Sequence, residues 1–127
     1  MSKTVLDASV ILAILTKEID SSIIIDDISK ALISTVNYSE TIAKLFEWGM
    51  TDLEVNEVLE FDLEIKVFDA EQAFLAGQLR PLTKKYGLSF GDRACLALAI
   101  SNKAIALTAD RSWKHVNIEG LKVKLIH

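Results

Sequence analysis

Four carboxylates stand at positions where acids are costly: Asp7 in "VLDAS", Glu40 in "VNYSE", Asp92 in "SFGDRA" and Asp110 in "LTADRS". Each lies at the end of a short apolar run or in the first turn of the helical segment that follows one. A charge between a buried strand and a buried helix costs several kcal/mol, on the order of 2–7 even for a neutral polar group, unless something compensates it. Four anions on one edge of a sheet raise one another's pKa and cannot all stay ionised without a counter-charge. A hard divalent cation supplies that charge, and Mg²⁺ prefers a few carboxylates with several retained waters. Each acid alone has a simpler reading. Asp7 would cap the helix that begins near Ser9, Glu40 and Asp92 would be capping partners favoured by the helix dipole, and Asp110 would be an ordinary turn residue. The constellation, not any one member, points to a metal.

The elements that must position these acids follow from periodicity. Strands are expected at Lys3–Asp7, Ala31–Thr35, Glu64–Val67, Ala104–Thr108 and Leu121–Ile126, with helical spacing between them, as in Ile42, Leu45, Phe46 and in Cys95, Leu98, Ala99. Short strands alternating with helices predict an α/β domain, 1–127, with a mostly parallel five-stranded sheet flanked by helices on both faces. In such sheets ligands bind beyond the carboxyl ends of the strands, where Asp7 falls. Three cap signatures mark helix starts: Asn37 with Glu40, Asp69 with Gln72, and Ser89 with Asp92. Pro81 predicts a kink or a second helix within 69–86. The stretch "AKLFEWGMTDLEVNEVLEF" crowds Leu45, Phe46, Trp48, Leu53, Val55 and Leu59 into one helical hairpin. That is more apolar surface than one helix face needs, which suggests a protein-binding groove or a buried helix pair.

Composition narrows the classes. A chain of 127 residues, half hydrophobic and a quarter charged, fits one globular domain. One cysteine, Cys95, excludes an internal disulfide, and with no leader-like start the expected setting is cytoplasmic. No apolar run approaches the roughly 20 residues of a membrane span. The net charge of −4 opposes nucleic acid at long range, so such binding requires a local basic patch or bridging cations. Basic residues do gather late in the chain, at Arg80, Lys84, Lys85, Arg93, Lys103, Arg111, Lys114 and His115, whereas Glu18–Ser29 is acidic and apolar. His115 and His127 have no ligand-like spacing.

Taken together, "VLDAS", "VNYSE", "GLSFGDRACLALA" and "LTADRSW" resemble the ordered motifs of the PIN-domain ribonucleases, and length and order are most similar to the VapC-type toxins of toxin–antitoxin pairs. The resemblance spans Thr4 to Ile126. It implies that Asp7, Glu40 and Asp92 bind Mg²⁺ or Mn²⁺, with Asp110 holding a second ion or acting through water. It also implies that Ser9, Asn37 and Thr108 orient these ligands and their waters. The implied activity is metal-dependent hydrolysis of RNA phosphodiesters; the alternative is a PIN-like module that binds RNA or protein without cleaving. Arg93 and Arg111 each follow an implied ligand and are candidates for phosphate contacts, and Tyr86 and Trp113 for base stacking, with core packing the favoured role of Trp113. Implied partners are the RNA substrate, a cognate antitoxin, a second copy in a homodimer, and DNA only through the antitoxin. A phosphoacceptor domain would need a second acid on strand one and a late strand-end lysine. A haloacid-dehalogenase-like phosphatase would need an aspartate where Ser9 stands. Neither pattern is present.

Overall fold

The computed structural model describes residues 3–17, 20 and 28–126. Most of the acidic stretch Glu18–Ser29, and His127, lie outside the described residues. The described elements, in order, are β1 (Thr4–Leu6), α1 (Ala8–Leu15), β2 (Leu32–Ser34), α2 (Thr35–Glu47), α3 (Asp52–Val58), β3 (Glu64–Lys66), α4 (Ala70–Gln78) and α5 (Arg80–Thr83). A 3₁₀ turn at Lys84–Tyr86 leads to α6 (Phe90–Ser101), followed by β4 (Ile105–Thr108), a second 3₁₀ turn at Arg111–His115, and β5 (Lys122–Leu125). The five expected strands are present, each slightly shorter than its apolar run.

The strand order is β3-β2-β1-β4-β5, and every pairing is parallel. The sheet is covered on both faces because side chains alternate along each strand. Val5, Leu32 and Ala106 face α6 and Trp113, whereas Leu6, Ile33 and Leu107 face Val10 and Ile11 of α1. Helix α6 is apolar nearly all round, and Ala94 to Ala99 are all buried, as expected of a helix in the middle of a core. Trp113 is also completely buried, so it is core and not a base-stacking surface; Tyr86 packs partly against the same cluster.

Helix boundaries follow local chemistry with one correction. Asp69 caps α4 by accepting from the Gln72 amide, and Pro81 sits in the first turn of α5 just after α4 stops. Asn37, expected as a cap, lies inside α2 instead. Strand β2 runs into α2 with no loop, so the cap is Ser34, whose Oγ accepts from the Val36 amide. The helical hairpin forms from α2 and α3, turning at Gly49 with φ of 91°, a conformation glycine adopts without strain. Leu45 and Val55 are buried in it, while Phe46, Trp48 and Leu53 remain exposed.

Candidate metal centre

With β1 flanked by β2 on one side and β4 on the other, the chain changes direction across the sheet beside β1. This is where a crevice opens beyond the strand ends in doubly wound sheets. Asp7 follows β1 and occupies the N-cap position of α1, yet its side chain caps nothing. Its Oδ2 accepts from the Ser9 hydroxyl at 2.6 Å and the Thr108 hydroxyl at 3.0 Å. Ser9 and Thr108 are themselves fixed by the chain after β4: the Ala109 amide donates to Ser9 Oγ, and the Asp110 amide to Thr108 Oγ1. The first turn of α1 and the end of β4 therefore clamp one carboxylate.

Helices α2 and α6 bring the next two acids. Glu40 Oε1 accepts from Asn37 Nδ2 at 3.1 Å, and the same amide nitrogen donates to the Gly91 carbonyl at 2.9 Å, tying α2 to the first turn of α6. The Glu40 carboxylate lies directly against Gly91, where any Cβ would collide with both its oxygens. Gly91 is the residue that sequence reasoning missed. Its only signal was a glycine in the first turn of a helix, where propensity opposes it. Asp92 completes a capping box: the Ser89 amide donates to Asp92 Oδ2 at 2.8 Å, and the Asp92 amide to Ser89 Oγ. Asp110 starts the second 3₁₀ turn, its Oδ1 accepting from the Ser112 amide.

Asp7 is only 5% exposed, and its pKa is pushed up to about 6, chiefly by burial, with the charges of Asp92 and Glu40 adding to it against the two hydroxyl bonds. Glu40 is raised by desolvation and by Asp92, and Asp92 by desolvation and by Asp110. The four acids therefore share one electrostatic neighbourhood, although they come from residues 7 to 110. Cys95 is wholly buried under the same field, and burial, with the charges of Asp7, Asp92 and Glu40, pushes its thiol well up. Among the described residues none of the four acids forms an ion pair.

The donor set fits a hard cation in kind. In each acid the protein holds one oxygen, Asp7 Oδ2, Glu40 Oε1, Asp92 Oδ2 and Asp110 Oδ1, and leaves the other without a hydrogen-bond partner among the described residues. Asn37 Oδ1, wholly buried beside Glu40, also has no partner. As the side chains stand, no three acids of the described residues converge closely enough to hold an ion. Uncompensated like charges repel one another, and each of these side chains is engaged locally, Asp7 by Ser9, Glu40 by Asn37, Asp92 by Ser89 and Asp110 by Ser112.

The cations divide. Arg93, expected at phosphates, donates from Nη1 to the Ala76 carbonyl and lies over the Phe90 ring, so its guanidinium is engaged within the fold. Arg111 is exposed, on the 3₁₀ turn that begins at Asp110, and this turn packs against the one carrying Lys84 and Lys85. Lys103 precedes β4 and so lies at the opposite end of the sheet from the acids.

No curated protein matches the sequence. The fold is similar to a chain of the VapBC2 complex from Rickettsia felis, bound to a DNA fragment from its promoter, at 20% identity and TM-score 0.74 over 96% of this chain and 97% of that one. It is also similar to DNA-bound VapBC from Salmonella typhimurium, at 20% identity and TM-score 0.77 over 98% of both chains. VapBC-5 from Mycobacterium tuberculosis matches at 19% identity and TM-score 0.65 over 99% and 100%. Residues 4–119 match the PIN domain, and with the topology and the sheet-edge acids in place, the chain belongs to the PIN-domain family.

Proposed function

We propose that this protein is a Mg²⁺- or Mn²⁺-dependent endoribonuclease acting as the toxin of a cytoplasmic type II toxin–antitoxin pair. The observation that carries the reading is the buried Asp7, with no ion-pair partner among the described residues, in one electrostatic neighbourhood with three further acids, each of the four with one oxygen fixed and one left open. Asp7, Glu40 and Asp92 would hold the ion, with Asp110 at its margin. A cation there supplies a water of lowered pKa and neutralises charge building on the phosphate. The chain's own residues do the positioning. Ser9 and Thr108 aim the open oxygen of Asp7, and Asn37 fixes Glu40 against Gly91. Arg111 and the neighbouring lysines of the two 3₁₀ turns bind phosphates on either side of the scissile one, offsetting the net charge of −4.

The resemblance of the fold to VapBC complexes supports a small cognate antitoxin as partner, with DNA reached only through it. The exposed Phe46 and Leu53 on the hairpin suit that partner or a second copy in a homodimer. No helix among the described residues is long and apolar enough to cross a membrane. The test is cleavage of defined RNAs with Mn²⁺ and with chelator, alongside expression of the chain alone. The parent should cut only with metal and halt growth, and Asp7→Asn should do neither. RNA bound but left intact in Mn²⁺ would instead favour the non-catalytic module.

A further inference from the structure

A groove of about 400 Å³ opens next to the acids, lined by Ser9, Leu12 and Ala13 of α1, Trp48 at the end of α2, and Ala109 and Asp110 after β4. It adjoins the proposed centre at Asp110, itself one of the four acids, and at Ser9. Ser9 lines the groove while its hydroxyl donates to Asp7 Oδ2 and accepts from the Ala109 amide. Trp48 is 44% exposed although it lies beside the apolar side chains of Leu12 and Ala13. The walls thus offer an aromatic ring and an aliphatic surface, with polar groups at the end nearest Asp7 and at Thr16, whose hydroxyl is taken up by the Leu12 carbonyl.

We infer that this groove is a nucleobase subsite, in which Trp48 stacks on the base of a nucleotide beside the scissile phosphate. The inference rests on the ribonuclease reading and adds to it a residue that binds the base. A base is the occupant that the lining suits: flat and apolar on its faces, with a sugar–phosphate that must reach the acids at the groove's end. Stacking on an aromatic side chain binds any base, so the subsite adds affinity without strict sequence choice, and the larger faces of purines gain most. The buried Trp113 offers no such surface.

The two tryptophans make the test direct, because Trp113 is shielded and Trp48 is not. Adenosine is the probe, since the uncharged nucleoside requires neither metal nor cleavage. It should quench the emission of the parent saturably and leave the remaining emission of Trp48→Leu unaltered. With RNA substrate, Trp48→Leu should raise KM about 10-fold or more, in line with the loss of one stacked base, and Trp48→Phe should restore most of it. Quenching without any RNA cleavage would refute the ribonuclease reading and keep the base subsite. Cleavage without quenching up to the solubility limit of adenosine would do the reverse. A dimer in sedimentation that Trp48→Leu converts to monomer would overturn the subsite and assign the groove to protein.

Discussion

Two capping boxes in this molecule have the same local chemistry and opposite electrostatics. At the start of α3 the Thr51 amide donates to Glu54 Oε1 at 2.9 Å and the Glu54 amide to Thr51 Oγ1 at 3.2 Å. At the start of α6 the Ser89 amide donates to Asp92 Oδ2 at 2.8 Å and the Asp92 amide to Ser89 Oγ at 3.2 Å. Both acids sit at the positive end of a helix, which favours their charge. Glu54 has its pKa lowered by those bonds, as a cap in water should. Asp92 receives the same help and is still raised, because burial and the charge of Asp110 outweigh it. A motif that merely starts a helix settles its acid; one that serves a site leaves its acid unsatisfied. The difference marks the part of the molecule where the proposed cation would bind.

The largest expected effect is in the pH dependence of the metal-free protein, where the two ends should pull in opposite directions. Asp7 has a folded pKa of about 6 against an ordinary 3.8, so its penalty is absent below about pH 4 and complete above about pH 6. Stability from this group should therefore rise as pH falls from 7 to 4, by roughly 3 kcal/mol at most. Glu54, with its lowered pKa, contributes stability that is lost as pH falls. Chemical denaturation in chelator across this range should show the gain in the parent and lose most of it in Asp7→Asn. A parent profile with no such rise would mean that Asp7 is already compensated by the protein.

Next comes the response to metal. Mn²⁺ at a hundredfold excess over its dissociation constant should stabilise the parent by about 2.7 kcal/mol through mass action. Glu54→Gln should retain that response and Asp92→Asn should lose much of it, as read from thermal melts with and without Mn²⁺. Equal responses in the two variants would reduce Asp92 to a helix cap.

The smallest effect isolates the boxes themselves. In chelator near neutral pH, Glu54→Gln should lower the melting temperature slightly, since a favourable cap charge is removed. Asp92→Asn should leave it unchanged or raise it, because relief from burial and repulsion offsets the lost charge–dipole attraction. Both variants destabilising to the same degree would remove the contrast.

Much of this architecture was legible in the residues. The five strands and the breaks at Pro81 and Asp69 follow from apolar runs and side chain–backbone hydrogen bonds only a few residues apart. Asn37 was misread because Ser34 and Asn37 both have capping chemistry within one turn, and only the direct passage from β2 into α2 selects Ser34. Its actual partners are Glu40 and the Gly91 carbonyl, the latter 54 residues away. Arg93 reads as a surface cation beside an acid, yet α4 lies close enough for its guanidinium to be taken by Ala76. The two tryptophans are indistinguishable by type; packing buries one in the core and leaves the other beside the acids.

By itself, then, the sequence determined the elements, their order, and the presence of an acid at each of four strand ends or helix starts, because those depend on periodicity and on interactions within a turn. Only the tertiary structure decided which acids are unsatisfied. The same capping box leaves Glu54 at ease and Asp92 strained because desolvation and Coulomb repulsion act through space, among groups that only the folded sheet edge brings together.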